Sequence, residues 1–248
     1  MAARGARVIL GCRNLKSAEN IKEEIIGKTG NTDIVIYPLD FESLSSVRKF
    51  SKLVHDNESR LDILINNAGA GGLGNKTTED GLHIGMQVNH FGPFLLTNLL
   101  LDLLKQSAPS RIVTVASLMH VTSWLDPNNL NKSLNDIINY SNSKLCNILM
   151  SNELAEKLRG TDVISNSLHP GSVRTQLFRN VRWYTPKEGA QTTIHCAVCE
   201  KVDGVTGKYY QDCKQQWTSI PARNKRLSAK VWDESVKLVK LQKHEIHY

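Results

Sequence analysis

The alternation of two kinds of segment is the sequence feature that most constrains this fold. Short runs rich in Val, Ile and Leu alternate along the chain with longer segments in which apolar residues recur at helical spacing. The β-rich runs lie at residues 7–11, 33–37, 61–65, 112–116, 163–168 and 207–210. Strands that alternate with helices form a parallel sheet covered on both faces. We therefore predict an α/β fold with a doubly wound parallel sheet, as a single domain over residues 1–248.

The helical segments carry recognisable start signals. Asn14 and Ser43 stand where a side chain can cap a helix, and the second of these helices is predicted over residues 43–54. Further helices are predicted over residues 81–107, 186–200 and 228–241, and one contains Tyr140.

The charge and the cysteines exclude several classes of protein. The formal net charge is +7, but Lys and Arg are scattered, which favours a basic surface that attracts an anionic cofactor over nucleic-acid binding. The five cysteines form no disulfide framework, which indicates a reducing compartment. Cys196 and Cys199 lack a second pair, so we predict buried apolar thiols and no metal site. With no secretory signal and no apolar stretch of membrane-spanning length, we expect a cytoplasmic protein.

Tyr140 and Lys144 are the strongest candidates for catalysis. They lie four residues apart in a helical pattern, so their side chains share one face. For a phenol to exchange a proton at neutral pH, its pKa must fall by roughly three units, which corresponds to about 4 kcal/mol. The electrostatic interaction with a cation about 4 Å away is of that size. Tyr210 and Lys214 repeat the spacing, but they follow a short strand. We therefore place the site at the first copy.

Unusual residues follow each predicted strand, at the edge where a doubly wound sheet binds its ligands. These are Cys12-Arg13, Asp40-Phe41, Asn66 to Gly69, Ser117 and Pro170-Gly171. This ordered set, with Tyr140 and Lys144, resembles the short-chain dehydrogenase/reductase family, which binds a nicotinamide dinucleotide on a Rossmann fold.

The resemblance implies roles for four residues. Tyr140 is the implied general acid/base, and Lys144 lowers its pKa and hydrogen-bonds the ribose. Ser117 holds the substrate oxygen, and Asn89 supports a proton-relay water near the lysine. Both polar residues also have a structural interpretation: Ser117 caps a strand end, and Asn89 is a helix residue with satisfied hydrogen bonds.

The resemblance also implies the cofactor contacts. Asp40 matches the acid that contacts adenine, and Thr175 matches the residue near the nicotinamide amide. The other implied contacts are Phe41, Asn67, Ala68, Gly69, Tyr140, Lys144, Pro170, Gly171 and Val173. Arg13 stands where an NAD enzyme carries an acid for the ribose 2′-hydroxyl, and a guanidinium pairs well with a 2′-phosphate. We therefore expect NADP(H).

A finer resemblance is to the retinol dehydrogenase-like group of this family, carried by residues 3–14, 89–97, 186–193 and 212–214. It implies an apolar carbonyl substrate, such as retinal or another lipid aldehyde, or the matching alcohol. Leu177, Phe178, Trp183 and Tyr184, within residues 176–185, would form an apolar lid. The resemblance leaves open a homodimer, and also the attachment of full-length relatives to the endoplasmic reticulum or another intracellular membrane.

One departure separates this sequence from the family pattern. The family begins with an apolar strand and a Thr-Gly-x-x-x-Gly-x-Gly turn that cradles the pyrophosphate, and neither is present here. Two explanations stay open: a fragment with its first strand missing, or a degenerate relative that keeps the fold as a non-catalytic binding protein. The missing strand is central, so we expect the run at Val8 to pair only with the run at Ile34. The run at Ile63 should likewise pair only with the run at Ile112.

Overall fold

A computed structural model gives the fold and describes residues 1–171 and 184–248. The strands are Val8–Cys12 (β1), Ile34–Pro38 (β2), Ile63–Asn66 (β3), Ser110–Val115 (β4), Val163–His169 (β5), Tyr209–Gln211 (β6) and Lys214–Gln215 (β7). The α-helices are Leu15–Thr29 (α1), Leu44–Asn57 (α2), Ile84–Met86 (α3), Gly92–Leu99 (α4), Leu101–Gln106 (α5), Asp136–Lys157 (α6), Pro186–Val198 (α7) and Lys225–Leu238 (α8). The predicted α/β alternation is confirmed.

The strands form two sheets, ordered β1-β2 and β3-β4-β5-β6-β7. Every pair is parallel except β6 and β7, where Tyr210 pairs with Gln215 in an antiparallel hairpin. The sequence did not predict β7. Its turn places Asp212 and Cys213 at φ of 51° and 59°. Glycine usually occupies such positions, and its absence here removes the sequence signal for a hairpin.

The two sheets are separate at the position of the family's first strand. Val8 pairs with Ile34 and Leu10 with Ile36, whereas Ile63 pairs with Arg111. Within the described residues, β1 and β3 have no other strand partner, which confirms the predicted pairing. Each strand therefore has one edge without a ladder of backbone hydrogen bonds.

The segment over residues 81–107, predicted as one helix, is divided in the structure. Between α3 and α4 the chain makes a wide π-helical turn at Gln87–Phe91, in which the N–H of Gly92 reaches back to the carbonyl of Gln87. A second break falls at Leu100, whose φ and ψ of −106° and 4° leave the helical region. π-helical turns often occur at functional sites, and this one carries Asn89.

Helix α6 packs between the five-stranded sheet and α8. Its apolar residues Leu145, Ile148, Leu149 and Leu154 are buried, as their helical spacing predicts. Beyond it, Trp232 of α8 meets Phe94 of α4 edge to face, with ring centres 4.8 Å apart. This packing fixes the helix that carries Tyr140 and Lys144 against the sheet.

Several local predictions are also tested by the structure. Asn14 and Ser43 cap α1 and α2, as expected, by accepting hydrogen bonds from the backbone N–H of Ser17 and Ser46. Cys196 is buried as predicted, and burial raises its pKa to about 12. The same prediction is wrong for Cys199, which is only partly buried because it lies at the end of α7. In the part of the chain that the structure describes, no cluster of His, Cys, Asp or Glu could hold a metal ion. Within that part, no helix has both the length and the apolar character needed to cross a membrane.

Candidate active site

Helix α6 brings Tyr140 and Lys144 together on its inner face. The helix begins after Asn135, whose side chain accepts a hydrogen bond from the N–H of Ile138. Lys144 is only 3% exposed, and Tyr140 is half-buried. The Lys144 Nζ atom lies 5.5 Å from the centre of the Tyr140 ring and donates a hydrogen bond of 3.2 Å to the carbonyl of Val115. The ammonium is thus held between its own helix and the end of β4.

The pKa of Tyr140 does not follow the sequence expectation. Burial raises the pKa of this phenol, and a hydrogen bond with the Ser117 side chain acts in the opposite direction. Burial also lowers the pKa of Lys144 to about 8. The expected fall in the Tyr140 pKa is therefore wrong for the ligand-free chain, because loss of water outweighs the neighbouring groups.

Ser117 lies two residues beyond the end of β4 and is buried. Its hydroxyl accepts a hydrogen bond of 3.2 Å from the N–H of Met119 and so caps a short 3₁₀ turn, as its structural interpretation requires. The same side chain lies close enough to Tyr140 to lower the pKa of the phenol. The structure therefore brings Ser117, Tyr140 and Lys144 together at the carboxyl end of β4.

Asn89 holds the loop that follows β3. Its side chain donates to the carbonyl of Ala70 at 2.9 Å and accepts from the N–H of the same residue at 2.8 Å. A Cβ atom added at Gly69 would lie 2.9 Å from Lys144 Nζ and 3.2 Å from Asn89 Oδ1. The loop backbone therefore approaches the lysine so closely that any larger residue at position 69 would have to displace its ammonium. The satisfied side chain matches the structural interpretation of Asn89.

Two residues behind Lys144 were missed by the sequence reasoning. Asn147 donates to the carbonyl of Asn89 at 3.0 Å, and its Oδ1 lies 3.1 Å from Nδ1 of His90. Both side chains are buried. A signal was present, since Asn147 follows Lys144 by three residues and Tyr140 by seven, which places a polar residue on the same helix face.

The residues assigned to the adenosine end lie after β1 and β2. Arg13 forms an ion pair with Glu42, a residue that the sequence reasoning also missed. Asp40 accepts a hydrogen bond of 2.9 Å from the N–H of Glu42, which shapes this turn. Phe41 packs so closely on Gly92 that an added Cβ there would lie 2.5 Å from its ring. The guanidinium is therefore positioned beside an acid.

The structure describes only some of the other residues assigned to the cofactor and the lid. Asn67, Ala68 and Gly69 are exposed after β3, where a ligand can reach them. Pro170 and Gly171 follow β5, and Gly171 has a φ of 86° and lies against the ring of Tyr184. Tyr184 hydrogen-bonds Asp212 at 3.1 Å. Val173, Thr175 and the remaining lid residues Leu177, Phe178 and Trp183 lie outside the described residues.

The second Tyr-x-x-x-Lys copy has a different geometry. Tyr210 is buried in β6, and Lys214 is exposed on β7, across the hairpin turn. These two residues do not share a helix face, so the four-residue spacing does not bring their side chains together as it does for Tyr140 and Lys144.

Comparison with known proteins agrees with this geometry. The sequence matches the model of the short chain dehydrogenase family over residues 1–184. It is 41% identical to retinol dehydrogenase 11 of Homo sapiens, over 97% of this chain and 80% of the relative. It is 42% identical to retinol dehydrogenase 14 of Homo sapiens, over 96% of this chain and 80% of the relative. A crystal structure of a protein from Mycobacterium Paratuberculosis has a TM-score of 0.79 at 28% identity, covering 96% of this chain and 86% of that one.

The fold and the site define an oxidoreductase of the Rossmann type, a class that uses nicotinamide cofactors. The chain belongs to the short-chain dehydrogenase/reductase family and is retinol dehydrogenase-like within it. Both the family and the finer resemblance inferred from the sequence are confirmed.

Proposed function

We propose that this protein is an NADP(H)-dependent oxidoreductase that interconverts an apolar carbonyl compound and its alcohol. The observation that carries the proposal is the convergence of Tyr140, Lys144 and Ser117 at the carboxyl edge of the sheet. All three are wholly or largely withdrawn from water. A phenol, an ammonium and a hydroxyl in one place can hold a carbonyl oxygen and exchange a proton with it.

Each of these side chains has a distinct task. Ser117 donates a hydrogen bond to the substrate oxygen and holds it beside the phenol of Tyr140. Because burial raises the pKa of Tyr140, the phenol keeps its proton at neutral pH, which is the form that donates to a carbonyl. Lys144 stabilises the phenolate left behind, because its ammonium lies over the ring at 5.5 Å. The bound nicotinamide supplies the hydride that completes the reduction.

The described residues fit a nicotinamide dinucleotide at both of its ends. Lys144 can donate three hydrogen bonds but makes one in the described part of the chain, so it retains donors for a ribose hydroxyl. Gly69, exposed beside it, leaves room for that ribose to approach. Arg13 and Asp40 lie at the adenosine end. The family's Gly-rich turn for the pyrophosphate has no counterpart in this sequence, so we assign no residue to that group.

The preference for the 2′-phosphate rests on Arg13. Its side chain is 65% exposed and can pair with a phosphate. In the structure the guanidinium forms an ion pair with Glu42. An exposed ion pair of this kind contributes about 0–1 kcal/mol, so a phosphate can displace Glu42 from Arg13 at low cost.

The apolar class of the substrate is supported by the relatives, which include retinol dehydrogenases 11 and 14 of Homo sapiens. Tyr140 also borders a shallow surface depression whose other walls include residues 70–74, where three glycines carry no side chain.

A direct assay tests this function. The 248-residue chain is incubated with NADPH or NADH and with retinal, a long-chain aldehyde or a small polar aldehyde. We expect NADPH oxidation with the two apolar substrates and little with the polar one. A folded chain that binds NADPH but turns over none of them would contradict the proposal.

A non-catalytic binding protein is the second candidate, because the sheet is broken between β1 and β3, beside the cofactor edge. Retinal binding without NADPH oxidation would favour that candidate. The two are separated by measuring retinal binding by fluorescence quenching alongside the assay.

A further inference from the structure

A group of buried polar side chains lies behind Lys144, and the proposed function does not use it. Asn147, His90 and Ser235 come from α6, the π-helical turn and α8, and none is more than 2% exposed. Buried polar groups need hydrogen-bond partners, so each of these side chains can adopt only a few orientations.

Asn147 is the centre of this group. Its amide nitrogen lies 3.0 Å from the carbonyl of Asn89 and 3.4 Å from the carbonyl of Val115. The second of these oxygens also accepts a hydrogen bond from Lys144, at 3.2 Å. One amide group therefore holds two backbone carbonyls, and one of the two anchors the ammonium.

His90 and Ser235 fix the orientation of that amide. Because the Asn147 nitrogen faces two carbonyls, its oxygen is left to accept from Nδ1–H of His90 at 3.1 Å. Burial lowers the pKa of His90 to about 4, so the ring is neutral, and its Nε2 lies 2.9 Å from the Ser235 oxygen, whose hydroxyl donates to the carbonyl of Val231 at 2.7 Å. The contact with Asn147 assigns the Nδ1–H tautomer to His90.

We propose that Asn147 is a positioning residue for Lys144, oriented by His90 and Ser235. It sets the place of the Val115 carbonyl, and through it the ammonium that the proposed function needs beside Tyr140. The inference rests on the proposed function for its kinetic consequence, but the geometry of the lysine can be measured without turnover.

The ionisable groups around Lys144 allow a pH test. In the described residues these are Tyr140 on the same helix, His169 at the end of β5 and His90 behind Asn147. Burial lowers the pKa of His169 and of His90 to about 4 in each case, so neither ionises near pH 8. An alkaline transition near that pH therefore belongs to Lys144 and Tyr140.

The decisive variant is Asn147→Asp, which keeps the oxygen that His90 donates to and replaces the amide nitrogen with a carboxylate oxygen. An opposite charge a few ångströms away raises the pKa of an ammonium, so the alkaline limb of kcat should move up by about one unit. Asn147→Leu removes both contacts, and kcat should fall about tenfold or more with KM little changed. Asn152→Asp is the matched control, because Asn152 lies on the same helix and donates to the carbonyl of Ala222 at 2.9 Å.

A second readout keeps the test independent of activity. With ¹³Cε-labelled lysine, the Lys144 resonance is identified by its loss in Lys144→Met, and its titration should move upward in Asn147→Asp but not in Asn152→Asp. ¹⁵N-histidine spectra should show His90 as the Nδ1–H tautomer. An unchanged Lys144 titration in folded Asn147→Asp would overturn the positioning role. Absence of turnover in the unaltered chain would contradict the proposed function alone.

Discussion

The ammonium of Lys144 lies 5.5 Å from the centre of the Tyr140 ring, and burial acts on the two groups in opposite directions. It raises the pKa of Tyr140 and lowers the pKa of Lys144 to about 8. Both shifts favour the uncharged forms, because the site holds little water. The site therefore holds a protonated phenol beside an ammonium whose pKa is lowered to about 8.

Tyr140→Phe should abolish turnover and leave the cofactor bound. The hydroxyl carries the proton, so kcat should fall by about 10² to 10⁴, whereas the dissociation constant for NADPH should change by less than about twofold. Stopped assays with retinal and fluorescence titration with NADPH measure the two effects. Tyr210→Phe is the control, since Tyr210 is buried in β6. Comparable losses in both variants, or substantial activity in Tyr140→Phe, would remove Tyr140 as the acid.

Sequence alone predicts the elements of this molecule that are marked by a regular spacing of apolar residues or by a local capping residue. Apolar periodicity located α6 and the first five strands, and Asn14 and Ser43 were correct caps. The order of polar residues at the strand ends identified the family. These features depend on neighbours in sequence, which a single chain displays directly.

The features that sequence reasoning missed depend on contacts between distant segments. Glu42 pairs with Arg13, and Asn147 contacts Asn89, across 29 and 58 residues respectively. The raised pKa of Tyr140 depends on how completely the packed elements exclude water, which no spacing encodes. The π-helical turn at Gln87–Phe91 likewise has no marker in its own residues. Such properties follow from tertiary packing and need coordinates.

Arg13→Ala should weaken NADPH binding far more than NADH binding. A charge-assisted contact to a phosphate contributes about 1.5–3 kcal/mol, which corresponds to roughly ten- to a hundredfold in the dissociation constant. Titration of intrinsic fluorescence with each dinucleotide gives the ratio. Equal losses for the two cofactors would contradict a contact between Arg13 and the 2′-phosphate.

Glu42→Gln should have the opposite effect on the same ratio. Glu42 pairs with Arg13 in the ligand-free chain, so its removal frees the guanidinium. Because exposed ion pairs contribute about 0–1 kcal/mol, NADPH binding should tighten by no more than about fivefold, with NADH unaffected. Weaker NADPH binding in this variant would mean that Glu42 assists the cofactor.

Gly69→Ala should disable the site without unfolding the chain. The added Cβ would lie 2.9 Å from Lys144 Nζ, the end of a flexible side chain that can move away. Displacing the ammonium should lower kcat by about tenfold or more, while the overpacking destabilises the fold by about 1–3 kcal/mol. Gly27→Ala is the control, because no atom lies within 4 Å of its added Cβ. That helical substitution should stabilise the chain by about 1 kcal/mol and leave kcat unchanged.

Lys144→Met should stabilise the fold at neutral pH while abolishing turnover. Burial lowers the Lys144 pKa from 10.5 to about 8, so the folded state releases this proton more easily than the unfolded state does. Between pH 8 and 10.5 the unfolded chain binds more protons, and the contribution of this group to stability rises with pH across that window. Below pH 8 the full penalty applies, about 3 kcal/mol, and above pH 10.5 it disappears.

Methionine removes the charge and keeps an unbranched side chain one atom shorter, at the expense of the hydrogen bond to Val115, which contributes about 1 kcal/mol. The free energy of unfolding should therefore rise by roughly 2 kcal/mol at pH 7 and fall by about 1 kcal/mol near pH 11, where only the lost hydrogen bond counts. Urea unfolding at the two pH values measures both. Lys157→Met is the matched control on α6, where the ammonium lies 4.4 Å from the centre of the Tyr248 ring and 3.6 Å from Glu153. Lys157→Met should lower the free energy of unfolding. If Lys144→Met also lowers it at pH 7, the buried ammonium does not destabilise this fold.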